Sequence, residues 1–164
     1  MHTCRQILGF IALVLLSAIL GASVYESVVL VPNFRHDIPN SLEHFRLFMS
    51  QANPGAYFRA IAPPTQIALL VSLILSWKLR PARSWYIVAL ACLIVVDVVT
   101  FTFHYPRNHL LFHAPLQQPV SQLVSAAQEW GMGNIGRIAL LVVSTIAAGL
   151  GLRTTILARP QGAP

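Results

Sequence analysis

The sequence predicts an all-α protein: a four-transmembrane-helix bundle with short amphipathic helices in the two long outer loops. Three observations carry this expectation. Of 164 residues, 55% are hydrophobic and 10% charged, and the mean hydropathy is +0.65, too apolar for a domain that faces water on all sides. The apolar residues gather in four runs, each close to the ~20 residues that cross a ~30 Å hydrocarbon layer. Prolines and cations fall at the ends of those runs. A single integral membrane domain over residues 1–164 follows, with the lipid bilayer as its solvent.

The first run, Ile7 to Leu30, follows Arg5 and is trailed by small residues at Gly21, Ala22 and Ser23. That pattern resembles a secretory signal, but the apolar stretch continues through Val28 to Val31, long enough to span, so an uncleaved helix over 7–30 is expected. The second run is Thr65 to Leu79, with Pro63 and Pro64 fitting an N-terminal first turn, which gives a helix over 63–79. Pro81 separates it from the third run, Trp85 to Phe103, a helix over 84–104 that Pro106 is expected to end. The fourth run, Ile135 to Leu157, makes a helix over 134–157 with Asn134 as its cap.

Orientation follows from the short connection between the second and third runs, where Lys78, Arg80 and Arg83 stand with no acid. The positive-inside rule makes it cytoplasmic, hence both termini too, consistent with Arg5, Arg153 and Arg159. Trp77, Trp85 and Tyr86 then sit at the inner headgroup level. The long loops, Val31 to Ala62 and His104 to Gly133, face the non-cytoplasmic side of what is expected to be a multi-pass cell-membrane protein. In the first, Asn40 and Glu43 have capping-box spacing, and Leu42, Phe45, Met49 and Ala52 recur at helical intervals. In the second, Val120, Leu123, Val124, Ala127 and Trp130 form a similar stripe after Pro119. Each predicts a short surface helix.

The charge balance excludes less obvious readings. Eleven Lys and Arg against five Asp and Glu give +6, but the cations flank apolar runs instead of forming one stripe, so no nucleic-acid partner is expected. Two cysteines, Cys4 and Cys92, offer no C-x-x-C and no disulfide framework. Five of six histidines lie in the outer loops: His36, His44, His104, His109 and His113. His109 and His113 have the i, i+4 spacing that chelates a metal on a helix, yet no cysteine joins them and carboxylates are sparse, so no metal or cofactor is assigned. Ser17-x-x-x-Gly21 and Ala147-x-x-x-Gly151 are small-residue pairs that let helices approach, within the bundle or between protomers. A transporter reading has little support without an internal repeat or paired broken helices.

Ionisable groups inside spans need a partner or a watery cavity. Glu26, Asp97 and Arg137 are such groups. Rise per residue puts Glu26 and Arg137 at one depth, near enough for a charge-assisted pair; Tyr25 and Asn33 share that level. The pair fits an active site and fits equally a lock between two helices. Asp97 lies deeper, with Thr100 as a candidate hydroxyl partner.

Taken in order, Gly21-Ala22, Pro32, Thr100, Pro106-Arg107-Asn108-His109-Leu110, Trp130, Asn134 and Arg137 resemble the anthrone oxygenase-like domain family of small four-helix membrane proteins. The resemblance covers nearly the whole chain through a P-x-N-x-x-L and a W-x-x-x-N-x-x-R pattern. It implies a cofactor-independent oxygenase acting on anthrone-type polyketides, a planar or lipid-soluble substrate class, in which an activated carbanion of the substrate itself reacts with oxygen. Arg137 and Asn108 then match donors to an enolate oxygen, and Trp130 a ring that stacks on the substrate or donates its indole N–H. Asn134 caps the last helix or orients Arg137 from three residues away. Glu26 is the expected proton acceptor in preference to His104, because Glu26 also suits Arg137; Tyr25 and His104 complete the expected substrate-binding set. The His104, Arg107, His109 and His113 cluster is more polar than that family's pattern and would also suit a quinone, a lipid headgroup or a metal. The alternative function is a non-catalytic module: an accessory subunit with a membrane partner or homo-oligomer, or a metal- or haem-binding protein.

Overall fold

The computed structural model describes residues 2–158; Arg159 lies outside the described residues. Among these, four helices are long and apolar enough to cross a membrane, and the chain is a multi-pass membrane protein. Helix α1 covers residues 2–35, α2 is Asn40–Phe48, α3 is Pro54–Leu75, α4 is Arg80–His113 and α5 is Val120–Leu157. Helix α1 packs against α3 and α5, and α4 against α3 and α5, closing a ring of four. Helix α2 lies across the end that carries the two long connections.

The ring has an apolar interior of Leu16, Ile19, Leu69, Leu73, Tyr86, Leu93 and Leu141. Its outward face is apolar as well: Phe10, Val14, Ile67, Ile74, Ile94, Val98, Val143 and Ile146 are exposed, as side chains facing lipid should be. Close approach relies on two glycines around Tyr86. A Cβ at Gly9 would lie 2.4 Å from the Tyr86 hydroxyl, and one at Gly151 would lie 3.1 Å from its ring. The Ala147-x-x-x-Gly151 pair is therefore a packing device within the bundle. Ser17 and Gly21 face outward, with nothing within 4 Å of a Cβ at Gly21.

Several helix limits differ from the sequence expectation. Helix α3 begins at Pro54, where the Asn53 side chain accepts a hydrogen bond from the Ala56 N–H, and Pro63 and Pro64 lie inside it. The two prolines remove donors to the carbonyls one turn back, and both rings are exposed, so the lost bonds are tolerated where a cap was expected. Helix α4 passes Pro106 and runs to His113. Helix α5 starts at Val120, so the expected surface helix of the second loop and the last span are one 38-residue helix. Asn134 is consequently mid-helix and caps nothing. Helix α2 forms as expected, with Leu42 buried, but its capping box does not: no side chain caps it, and Asn40 donates to Asp37 instead.

Three wide, π-helical turns interrupt the helices at the α2 end: Glu26–Leu30 in α1, and Thr100–His104 and His109–His113 in α4. Each closes on the residue before a proline. Val31 donates to the Glu26 carbonyl before Pro32, Tyr105 to Thr100 before Pro106, and Ala114 to His109 before Pro115. Proline has no N–H and its ring crowds the carbonyl four residues back, which accounts for the helix widening instead of ending at Pro32 and Pro106.

Helix α2 is fastened by Arg46, whose guanidinium donates to the carbonyls of Leu110, Leu111 and Ala114 at 2.6–3.4 Å. These are carbonyls of the last turn of α4 and of Ala114 just beyond it, left without intrahelical donors. Burial lowers the Arg46 pKa from the ordinary arginine value. Beneath α2, a second cluster of Phe34, Leu42, Leu111, Leu123 and Trp130 closes the end of the bundle.

Candidate functional site

A cavity of about 1030 Å³ opens below α2, at the upper end of the size range of small-molecule sites. Its walls come from all four spans. Phe34, Phe45, Phe58, Phe112 and Trp130 supply aromatic surface; Glu26, Gln66, Asp97, Asn108 and Arg137 supply convergent polar groups; Arg59, His109 and His113 stand along it too. The three wide turns all border it, and they set Glu26, Thr100, Phe101, His109 and Phe112 on its wall.

Glu26 and Arg137 meet across the α1–α5 contact in a buried hydrogen-bonded ion pair, their side chains 8% and 7% exposed. The depth argument from sequence thus places them correctly. The guanidinium carbon lies 5.2 Å from the Phe58 ring centroid and 6.0 Å from that of Trp130, so aromatic faces flank the cation. Among the described residues, Arg137 Nε and the Ser23 hydroxyl are buried in this wall without a hydrogen-bond partner, which is uncommon for buried polar atoms.

Trp130 donates its indole N–H to Asn108 Oδ1 at 2.6 Å. Because an indole nitrogen can only donate, the Asn108 amide must present oxygen to Trp130, which leaves its NH₂ group for other acceptors. Of the two roles expected for Trp130, donation of its N–H to substrate is corrected here, because that donor is taken by Asn108. Phe34 and His104 press edge-on against the Trp130 ring at 5.8 and 5.2 Å.

The other expected site residues lie elsewhere. Asn134 is fully buried but behind the wall, donating to the Ser23 carbonyl at 3.0 Å and Ser27 Oγ at 2.7 Å. It ties α5 to α1 and makes no contact that orients Arg137. His104 is 1% exposed and packed between Phe103 and Trp130, supporting the tryptophan without lining the cavity. Tyr25 is 55% exposed and borders a shallow groove with Asn33, His36 and His44, not the cavity. Successive helical residues diverge by about 100°, so Tyr25 turns outward when Glu26 turns in.

Sequence reasoning missed two groups. Gln66 donates its amide to Asp97, bridging α3 and α4; the expected partner Thr100 instead bonds the Val96 carbonyl. Gln66 sits on an apolar run, and a polar residue on the inner face of a span was the available signal. Arg46 was visible only as a polar position on an amphipathic helix. Arg107 pairs with Glu129 at 2.6 Å and stacks over Phe103 at 3.5 Å, so its charge joins α4 to α5. His109 and His113 face each other at 6.4 Å between ring centroids, and among the described residues no three His, Cys, Asp or Glu side chains gather as a metal-holding group.

Four membrane-crossing helices around an aromatic-lined cavity with a small set of convergent polar groups define a small membrane protein whose interior carries a cavity of small-molecule size. The family model described as anthrone oxygenase matches residues 54–147, more than half of the chain, and the chain belongs to that family. The matched segment contains Gln66, Asp97, Asn108, Trp130, Asn134 and Arg137; Glu26 lies before it. No curated protein and no solved structure matches the chain.

Proposed function

We propose that this protein is a cofactor-independent oxygenase of a planar, lipid-soluble substrate of the anthrone type, acting in the cavity under α2. The observation that carries the reading is that Arg137 and Asn108, two hydrogen-bond donors with capacity to spare, line the same aromatic cavity as two carboxyl groups. Such a substrate has a methylene conjugated through aromatic rings with a ketone. Removing a methylene proton leaves a carbanion whose charge spreads to the ketone oxygen, where Arg137 and Asn108 stabilise it. The carbanion reduces dioxygen, a C–O bond forms, and loss of the second methylene proton with departure of water leaves a new C=O. In sum CH₂ and O₂ become C=O and H₂O, the substrate supplying all the electrons. The proton acceptor is a carboxyl of the cavity.

The cations of the Lys78, Arg80 and Arg83 connection support an orientation with the termini in the cytoplasm and the cavity in the non-cytoplasmic half of the membrane. A substrate would enter from the bilayer or past α2. Purified protein in detergent or liposomes, given anthrone, is expected to consume oxygen and form anthraquinone at a saturable rate well above the protein-free control. A rate equal to that control at every anthrone concentration would refute the reading.

A further inference from the structure

The cavity holds two carboxyl groups in different company, and they suit different tasks. Glu26 is bound directly to a guanidinium inside the membrane. To accept a proton it must give up a charge-charge attraction in a medium where little solvent compensates. Asp97 has another neighbour: its Oδ2 accepts from the neutral amide of Gln66, and among the described residues no cation pairs with it and no hydrogen bond reaches Oδ1, while the residue lines the cavity. A proton arriving on Oδ1 leaves the Gln66 bond to Oδ2 intact, so the carboxyl keeps its place in both protonation states.

Resting on the oxygenase reading above, we propose that Asp97 is the proton acceptor of the reaction, held by Gln66, and that Glu26 is a positioning residue that fixes Arg137. In the step assigned to Asp97, the methylene C–H bond breaks, its proton forms an O–H bond with Oδ1, and the electron pair stays on carbon and spreads to the ketone oxygen beside Arg137. Dioxygen is the oxidant and takes no part in this step.

The step can be read without oxygen, as protein-catalysed exchange of the methylene hydrogens of anthrone with D₂O under argon. Wild type is expected to exchange above the protein-free rate. Asp97→Asn is expected to lose that excess and to lower aerobic kcat by about 10²–10⁴-fold, the usual contribution of a positioned base, while anthraquinone still quenches tryptophan fluorescence with a Kd within a few-fold of wild type. Asp97→Glu should recover part of the exchange. Gln66→Leu, which leaves the carboxyl but removes its donor, should move the acidic limb of the kcat–pH profile. Glu26→Gln should keep measurable exchange and raise KM. Exchange by Asp97→Asn at the wild-type rate, or loss of exchange in Glu26→Gln with retention in Asp97→Asn, overturns the assignment while oxygen uptake by wild type leaves the oxygenase reading standing. If wild type itself neither exchanges nor consumes oxygen, the oxygenase reading falls and this proposal with it. Should Asp97→Asn fail to fold, an unshifted profile in Gln66→Leu is the result that overturns it.

Discussion

Replacing Arg137 by Met is expected to cost more stability than any other single change at the cavity, about 3–5 kcal/mol, because it strands a buried carboxylate on α1 without its counter-charge. The pair is almost closed to solvent, so screening does little to soften the loss. Replacing both partners, as Glu26→Gln with Arg137→Met, should recover most of that stability, since no uncompensated charge remains. Catalysis should not recover with it, because the guanidinium is the larger of the two donors available to an enolate oxygen. Thermal unfolding in detergent and oxygen uptake measured on the same samples separate these effects. A double variant that regains stability and also wild-type turnover would reduce the pair to a lock between helices.

Removing the Asn108 amide, as Asn108→Leu, is expected to lower kcat by about 10²–10³-fold, the range seen when one preorganised donor to a developing oxyanion is deleted. KM should move little, since the ground-state ketone carries less charge than the enolate. Trp130→Phe tests the same donor indirectly. It keeps an aromatic ring against Phe34 and His104 but frees the Asn108 oxygen that the indole N–H now holds, letting the amide turn. Because both variants act through one amide, their effects should not add: once Asn108 is gone, the tryptophan change should alter kcat much less than it does alone. Steady-state kinetics of the two single variants and the double check this. Fully additive losses would show that Trp130 acts on substrate by another route.

The bundle was legible in the sequence because membrane spans advertise themselves through length and hydropathy, and the Glu26–Arg137 pair because depth in a helix is simple arithmetic. The details that failed have three physical causes. Prolines were read as punctuation, but Pro63 and Pro64 lie within α3 and Pro106 within α4, since an apolar environment keeps a helix running past a proline that would end it in water. Once α5 is one continuous helix, Asn134 cannot be a cap, and its amide goes to the Ser23 carbonyl and Ser27 hydroxyl instead. Tyr25 was grouped with Glu26 by depth alone; facing, which depth does not give, turns it outward. Gln66 and Arg46 were missed because each depends on a contact between segments distant in sequence, one with Asp97 and the other with the end of α4. The wide turns each close on the residue before a proline, at Pro32, Pro106 and Pro115, and all three shape the cavity wall.

The most direct test of the account is a structure of the protein with anthraquinone, the product of the proposed reaction with anthrone, bound in a lipid environment. The account predicts the ring system in the cavity beneath α2, against Phe58 and Trp130, with one carbonyl oxygen within hydrogen-bond reach of Arg137 and Asn108 and the opposite ring carbon facing Asp97. Anthraquinone in the groove beside Tyr25 and His44, or a cavity left unoccupied at saturating ligand, would contradict it.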